Sequence, residues 1–530
     1  MPSDKRGAAK RGEWEPFGRS LFDDPSVRGL SRVGVVDIGS NSVRMVVFDG
    51  AARSPAYFYN EKVMAGLGQG LAETGRLNPQ GRIRALSAMR RFAALAKGME
   101  VSPFTVVATA AMREAEDGPE FRRLLEHETG LKIHVVDGAE EARLSAQGVL
   151  LGWPEANGLV CDIGGNSMEL AEVRDGRVGR RVTSALGPFR LQQIGGGRVG
   201  LVEHIKAVMA DLADQIGRDH ERIYLVGGSW RAIARLDMER RNYPLTVLHE
   251  YAMGPQAVAQ TVAWIRKSDM NELRQKTGTS SARMELVPLA SMVLLELLHA
   301  FRPKEFCVSS YGIREGMLYE QMPDRLRRRD PLIEAARYSE RTMARVPGFG
   351  KKLYEFLQPL YLRASESKLR LVKAACLLHD TTWRAHPDYR AEACFDNVTR
   401  ANMAAMSHPE RIFLGLALLH RYKNSRSGSA MAPMFELLTA DEIKQAEVLG
   451  KALRFGSMFS IQSPADAGEI QYFPKRKVLQ LALTKRGEGL FGEVVEARFN
   501  SLAKSLGAKW TPTTAGWKSS LAAPWQACPS

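Results

Sequence analysis

Short apolar runs alternate with amphipathic stretches through the first 325 residues. VGVVD at 33–37 and RMVVF at 44–48 predict strands, whereas residues 82–97 carry apolar positions at helical spacing. That alternation is the signature of α/β layers. From Pro331 to Lys451 the period changes. Leu371, Ala374, Ala375 and Leu378, then Leu414, Ala417 and Leu418, recur at three- and four-residue intervals, which predicts a mainly helical domain. Residues 478–507 read as a hairpin followed by a helix that closes this domain. Residues 1–30, polar and interrupted by Gly and Pro, predict a disordered basic tail with neither the apolar core nor the cleavage site of a secretory signal. The longest apolar stretches are broken by Arg, Glu or His, so no membrane span is expected.

One internal repeat sets the architecture. DIGSNS at 37–42 recurs as DIGGNS at 162–167, an offset of 125 residues, and each copy stands between two apolar strands. Each reads as a strand, a tight glycine turn and a returning strand, whose amides, Ser and Asn groups can surround phosphate oxygens. Two equivalent lobes follow, at 31–151 and 152–325, ahead of a domain at 326–530. The copies differ where Arg44 in the first is matched by Glu169 in the second. Asp162 and Glu169 on paired strands can hold Mg²⁺, a hard ion that takes one or two carboxylates together with phosphate oxygens and water.

Charge sharpens this picture. The 530-residue chain has Lys+Arg 74 against Asp+Glu 59, a net +15, which predicts attraction to polyanions. The excess is uneven: residues 326–530 hold 31 Lys and Arg against 19 Asp and Glu. Cys161, Cys307, Cys376, Cys394 and Cys528 form no CxxC pair, which disfavours a disulfide framework or structural zinc and favours a reducing cytoplasmic setting.

Tandem α/β lobes with phosphate-gripping hairpins resemble the superfamily of sugar kinases, heat-shock chaperones and actin, whose lobes are ribonuclease H-like. Within it, VVDIGSNSVRMVV, VVATAAMREAED, VVDGAEEARLSAQGV, DIGGNSMEL, LVGGSWRAIARL and YGIREG together resemble the exopolyphosphatase and guanosine pentaphosphate phosphohydrolase (Ppx/GppA) family. These motifs run in family order over 33–317, and the helical remainder resembles, more weakly, the family's HD-type C-terminal domain. The resemblance makes Asp37, Gly39, Ser40, Asn41 and Ser42 the first phosphate loop, with Arg44 beside it. Asp162, Gly164, Gly165, Asn166, Ser167 and Glu169 form the second. Thr109 and Arg113 match an anion-binding segment, Arg314 a basic residue reaching the cleft, and Gly227, Gly228 and Ser229 a third glycine-rich turn. Asn166 departs from a glycine common in the family. Trp230 either crowds the third turn or packs in the core.

Helix physics chooses between two neighbouring candidates for the base. Asp137 and Glu140 have the spacing of an N-cap and its N3 carboxylate, which gives Glu140 a structural task. Glu141, about 100° further round, is free to face the cleft, and it stands where the family carries its catalytic glutamate. The expected chemistry is water attack on a terminal phosphorus, with Mg²⁺, loop amides, Arg113 and Arg314 stabilising charge. His379-Asp380 suggests a metal phosphohydrolase site, but no histidine occurs between His299 and His379 to complete it. A degenerate HD fold is the plainer reading.

The favoured activity is hydrolysis of terminal orthophosphate from inorganic polyphosphate, gripped at a distance by the basic C-terminal domain. The alternatives are guanosine pentaphosphate (pppGpp) 5′-phosphohydrolase, a sugar or acid kinase, and a non-catalytic polyphosphate-binding regulator. The resemblance implies a homodimer. No membrane or nucleic-acid partner is required.

Overall fold

A computed structural model describes residues 32–49, 53–322, 324–426 and 430–514, so the tail at 1–30 and Cys528 lie outside the described residues. Two compact units divide the chain. Among the described residues, the first runs to Leu332 and takes back Asn402–Ser407; the second comprises Ile333–Ala401 and His408 to Thr514. The expected boundary at 325/326 is therefore seven residues early, and it missed the returning loop, where the Met406 amide donates to Glu250 at 2.7 Å.

The first lobe is a five-stranded sheet in the order β3-β2-β1-β4-β5. Its strands are β1 (Val33–Ile38), β2 (Val43–Phe48), β3 (Tyr57–Val63), β4 (Phe104–Ala108) and β5 (Ile133–Val135). Helix α1 (Pro79–Gly98) starts where Asn78 accepts from the Gly81 amide at 2.8 Å, with Pro79 in its first turn. Its Ala85, Ala88, Met89 and Phe92 share a buried cluster with Val36, Ile38, Met45 and Val47. Burying a side chain such as Met89 or Phe92 contributes about 1.5–3 kcal/mol. Helix α2 (Gly138–Gly152) follows β5.

The second lobe repeats the plan. Strands β6 (Gly158–Ile163), β7 (Met168–Arg174), β8 (Arg177–Ser184), β9 (Arg222–Gly227), β10 (Ala252–Met253) and β11 (Glu305–Val308) lie in the order β10-β11-β9-β6-β7-β8. Hairpins β1–β2–β3 and β6–β7–β8 are equivalent, each with a parallel strand, β4 or β9, on its other side. Helix α3 (Gly228–Arg240) springs from β9, and α4 (Val287–Phe301) precedes β11. The stretch Ser281–Phe301 is long and apolar enough to cross a membrane, with mean hydropathy 1.6, contrary to the expectation of no such segment. In the fold Val287, Ala290, Leu294 and Leu297 of α4 belong to the buried core of this lobe.

Helix α5 (Ile313–Gln321) corrects the lobe boundary at 151/152. Ala142, Ala146 and Val149 of α2 pack with Val160, Ala171 and Val226 of the second sheet, whereas Ile313 and Met317 of α5 pack with Val35, Val46 and Val107 of the first. Each lobe thus receives a helix from the other's stretch of sequence. The two helices touch backbone to backbone: a Cβ on Gly316 would lie 1.7 Å from the Leu144 carbonyl oxygen, and one on Gly148 2.2 Å from that of Gly312.

The second unit is mainly helical, as its periodicity predicts, with α6 (Glu366–Leu378), α7 (His408–Tyr422) and α8 (Ala440–Phe459). It also contains β12 (Gly468–Phe473), β13 (Val478–Leu483), α9 (Glu493–Ser505) and β14 (Lys509–Thr514). The hairpin expected within 478–507 is absent. Thr484 accepts from the Gly487 amide at 3.2 Å and starts a helical turn, so β13 pairs antiparallel with the upstream β12 and parallel with β14 across α9.

Candidate active site

The repeated sequence folds into the same turn twice. The Gly39 amide donates to the Ser42 carbonyl at 3.0 Å and the Gly164 amide to that of Ser167 at 2.9 Å, closing each loop between its strands. The loops meet: a Cβ on Gly165 would lie 3.1 Å from that of Ser40. Between them is a pocket of about 160 Å³.

Its lining includes Asp37, Gly39, Ser40, Asn41, Ser42, Arg44 and Thr109 from the first lobe's stretch of chain, with Glu141 of α2. Asp162, Gly164, Gly165, Ser167, Gly227, Gly228, Ser229 and Arg314 complete the predicted set that converges there. Gly227 holds φ at 120° as β9 turns into α3, and Gly228 and Ser229 at the start of that helix line the pocket, a favourable end for an anion.

Three expected site residues do not line the pocket. Asn166 is 1% exposed and packs against Gly68, so its side chain adds no donor to the cleft. Arg113 donates to the Val136 carbonyl at 2.8 Å and stands 3.6 Å from Glu141, outside the pocket lining. Glu169 is buried beside Asp162, directly across β6–β7. Trp230 is fully buried in the second lobe's core.

Asp137 caps α2, accepting from the Glu140 amide at 2.7 Å. Contrary to expectation, the Glu140 carboxylate does not reach back to the cap; it accepts from Arg143 at 2.8 and 2.6 Å, and Arg143 also donates to Glu320. Its role is structural by a different bond. Sequence reasoning missed Lys62, Arg231 and Arg283, which line the same pocket. Arg231 had a signal, since it closes the GGSWR turn already singled out. Lys62 and Arg283 had none.

The electrostatics divide the pocket. Burial, then the neighbouring Glu169 and Asp162, push the Glu141 carboxyl well above the usual range, against the pull of Arg113. Burial and then Asp162 raise Glu169 as well. Asp162 is also raised by burial, although Ser145 donates to it. Asp37, raised by burial, is held by Arg314 at 2.9 Å. On the cationic side, burial and then Arg283 lower Arg231 to about 10.

These carboxylates suit a divalent cation. Glu141 Oε2 and Glu169 Oε2 are buried without a hydrogen-bond partner, and the grouped negative charge calls for a positive complement. Among the described residues no three His, Cys, Asp or Glu side chains form a complete cage, so phosphate oxygens and water would fill the remaining positions.

In the second unit, His379 and Asp380 are engaged otherwise. Arg345 grips Asp380 with two bonds of 2.8 and 2.6 Å, and His379 Nδ1 lies 2.8 Å from the Cys376 carbonyl oxygen. Burial, then Arg421, lower the His379 imidazole to about 4.

A family profile described as the Ppx/GppA phosphatase family matches residues 46–325, and one described as exopolyphosphatase, C-terminal, matches 342–511. Exopolyphosphatase 1 of Mycobacterium leprae is 24% identical over 310 residues, 55% of this chain and 89% of the relative. Retrograde regulation protein 2 of Saccharomyces cerevisiae is 24% identical over 436 residues, 73% of this chain and 72% of its own. The crystal structure of an exopolyphosphatase from Cytophaga hutchinsonii superposes with a TM-score of 0.49 at 22% identity, covering 55% of this chain and 97% of that one.

Proposed function

The chain belongs to the Ppx/GppA phosphatase family, and we propose that it is an exopolyphosphatase that releases terminal orthophosphate from inorganic polyphosphate. One observation carries this reading: Glu141, a buried carboxylate, enters a pocket lined by two phosphate-type loops and several arginines. The loop amides and the start of α3 hold the terminal phosphate. Glu141 takes a proton from water as the water oxygen bonds to phosphorus and the P–O bond to the next phosphate breaks. Orthophosphate departs, and the shortened chain keeps the bridging oxygen. Arg314 offsets charge on the phosphate oxygens, while Arg113 keeps Glu141 oriented. Asp162 and Glu169 would hold Mg²⁺, which supplies further neutralisation of phosphate charge. The acceleration comes mainly from positioning and electrostatics.

The mycobacterial relatives' name supports the same substrate. Guanosine pentaphosphate remains the second reading, because its γ-phosphate alone has to enter. A non-catalytic regulator is disfavoured by the presence of Glu141, Asp162 and Arg314 together in the pocket. The positive excess of residues 326–530 supports a role in carrying the rest of a long chain.

The test is orthophosphate release from long-chain polyphosphate, tripolyphosphate and guanosine pentaphosphate under identical Mg²⁺. Release should be fastest from the long chain, with that advantage shrinking as salt rises. A strong preference for the nucleotide would reverse the order of the two readings, and no release from any of them would reject both.

A further inference from the structure

The third strand of the first lobe brings a cation to the pocket that the reaction above does not use. Lys62 on β3 lies directly opposite Arg44 on β2, which lies opposite Asp37 on β1. Residues so paired share one face of a sheet, so the three side chains form a row along the cleft. Two interstrand spacings, about 10 Å, separate its ends.

Lys62 lines the pocket with Arg231 and Arg283. None of the described carboxylates pairs with it: Arg314 engages Asp37, and Arg91 engages Glu61 from the other face of β3. Its side chain is solvent-exposed, so it projects into the open cleft. Like charges gathered without an anion repel one another, and a polyanion is their physical complement.

We propose that Lys62 determines substrate specificity by gripping phosphates behind the one being cleaved, which makes affinity depend on pH and on the substrate having more than two phosphoryl groups. This rests on the polyphosphate reading. The spacing along the row sets the assignment: with its backbone about 10 Å from that of Asp37, Lys62 stands on the side of the phosphates behind the one held at the Asp37 loop, and pyrophosphate, with a single P–O–P link, offers it the fewest of them.

The groups facing Lys62 are all cations: Arg44 from β2, Arg231 from α3, Arg283 from the short helix Ser281–Met284 and Arg314 from α5. Glu315 and Asp37 act on the row through Arg44 and Arg314. Desolvation within the cleft, then Arg283, Arg231, Arg44 and Arg314, lower the Lys62 ammonium to about 7. A bound polyanion reverses that field and restores the proton. Binding near pH 7.5 therefore takes up protons, and affinity falls as pH rises above neutrality.

The experiment is calorimetric titration of tripolyphosphate and pyrophosphate into full-length Glu141→Gln protein, in two buffers of different ionisation enthalpy at pH 7.5. Adding Lys62→Met should lower proton uptake with tripolyphosphate, leaving the share that Glu169 contributes, and weaken its binding about tenfold, the scale of one charge-assisted hydrogen bond. Pyrophosphate should change no more than about twofold on the same scale. Lys62→Arg, always protonated, should restore tripolyphosphate affinity without restoring proton uptake. Tripolyphosphate binding with proton uptake unchanged in both variants, or equal weakening of the two ligands, would overturn the role of Lys62 alone. Failure of the Glu141→Gln protein to bind any polyphosphate would overturn the polyphosphate reading with it.

Discussion

Two hairpins with nearly identical turns carry different charge on their second and third strands. Across β1, β2 and β3 one cross-strand row is Asp37, Arg44 and Lys62; across β6, β7 and β8 the equivalent row is Asp162, Glu169 and Thr183. The turns are the same, closed by Gly39 on Ser42 and by Gly164 on Ser167, so the difference lies in side chains on the second and third strands. The first lobe attracts a polyanion. The second gathers carboxylates that repel one unless a cation or a proton intervenes. On the proposed reaction the duplicated scaffold separates grip from chemistry, so changes in the first row should appear in KM while changes near the second appear in kcat.

The largest effect expected is at the carboxylate end. Glu141→Gln keeps size but removes the base, and should lower turnover by about 10²- to 10⁴-fold with substrate affinity nearly intact. Burial and the neighbouring carboxylates raise Glu141, and the base acts only when deprotonated, so the acid limb of the rate should lie above the ordinary carboxylate range and rise with pH. Steady-state rates across pH check both points, and a Glu141→Gln enzyme with ordinary turnover would break the division.

Next comes Glu169→Gln, which should weaken Mg²⁺ binding and activity roughly 10- to 100-fold, as loss of a metal-site group does. In the metal-free protein, burial and then Asp162 favour the protonated carboxyl of Glu169, so binding of the cation should release protons at neutral pH. Proton release measured on Mg²⁺ addition should fall in the variant. Unchanged release would place the cation elsewhere.

Arg44→Met tests the other row. KM for polyphosphate should rise about tenfold, the worth of a charged hydrogen bond, while kcat stays nearly constant. A fall in kcat at constant KM would show that the first lobe shares in the chemistry.

The smallest effect belongs to Glu140→Gln, which loosens the link to Arg143 and should cost roughly 0.5–1 kcal/mol of stability without altering turnover. Thermal unfolding and activity measured together check it. Loss of catalysis with little loss of stability would exchange the roles of the two glutamates.

Much of the site was legible because its signals are local. A glycine turn between two strands is written in six consecutive residues, and its recurrence announced both lobes. The D-x-x-E spacing separated Glu140 from Glu141 for a sound reason, although the Glu140 carboxylate found Arg143 instead of a backbone amide. The reading failed where a partner comes from far along the chain. Asn166 looked like a donor until Gly68 let it pack away from the pocket, and Arg113 looked like an anion ligand until the Val136 carbonyl claimed its guanidinium.

The sequence by itself thus determined the duplicated α/β plan, the two loops, the third glycine turn and the choice of Glu141 over Glu140 as the glutamate that enters the pocket, since each depends on dihedral preferences and spacings within a few residues. Only the tertiary structure decided that α2 and α5 exchange lobes, that Lys62 completes a row with Asp37 and Arg44, and that Arg231 and Arg283 join it. Those outcomes depend on strand register and helix contact. Both are fixed by the sum of many weak packing interactions between distant segments, which no local pattern records.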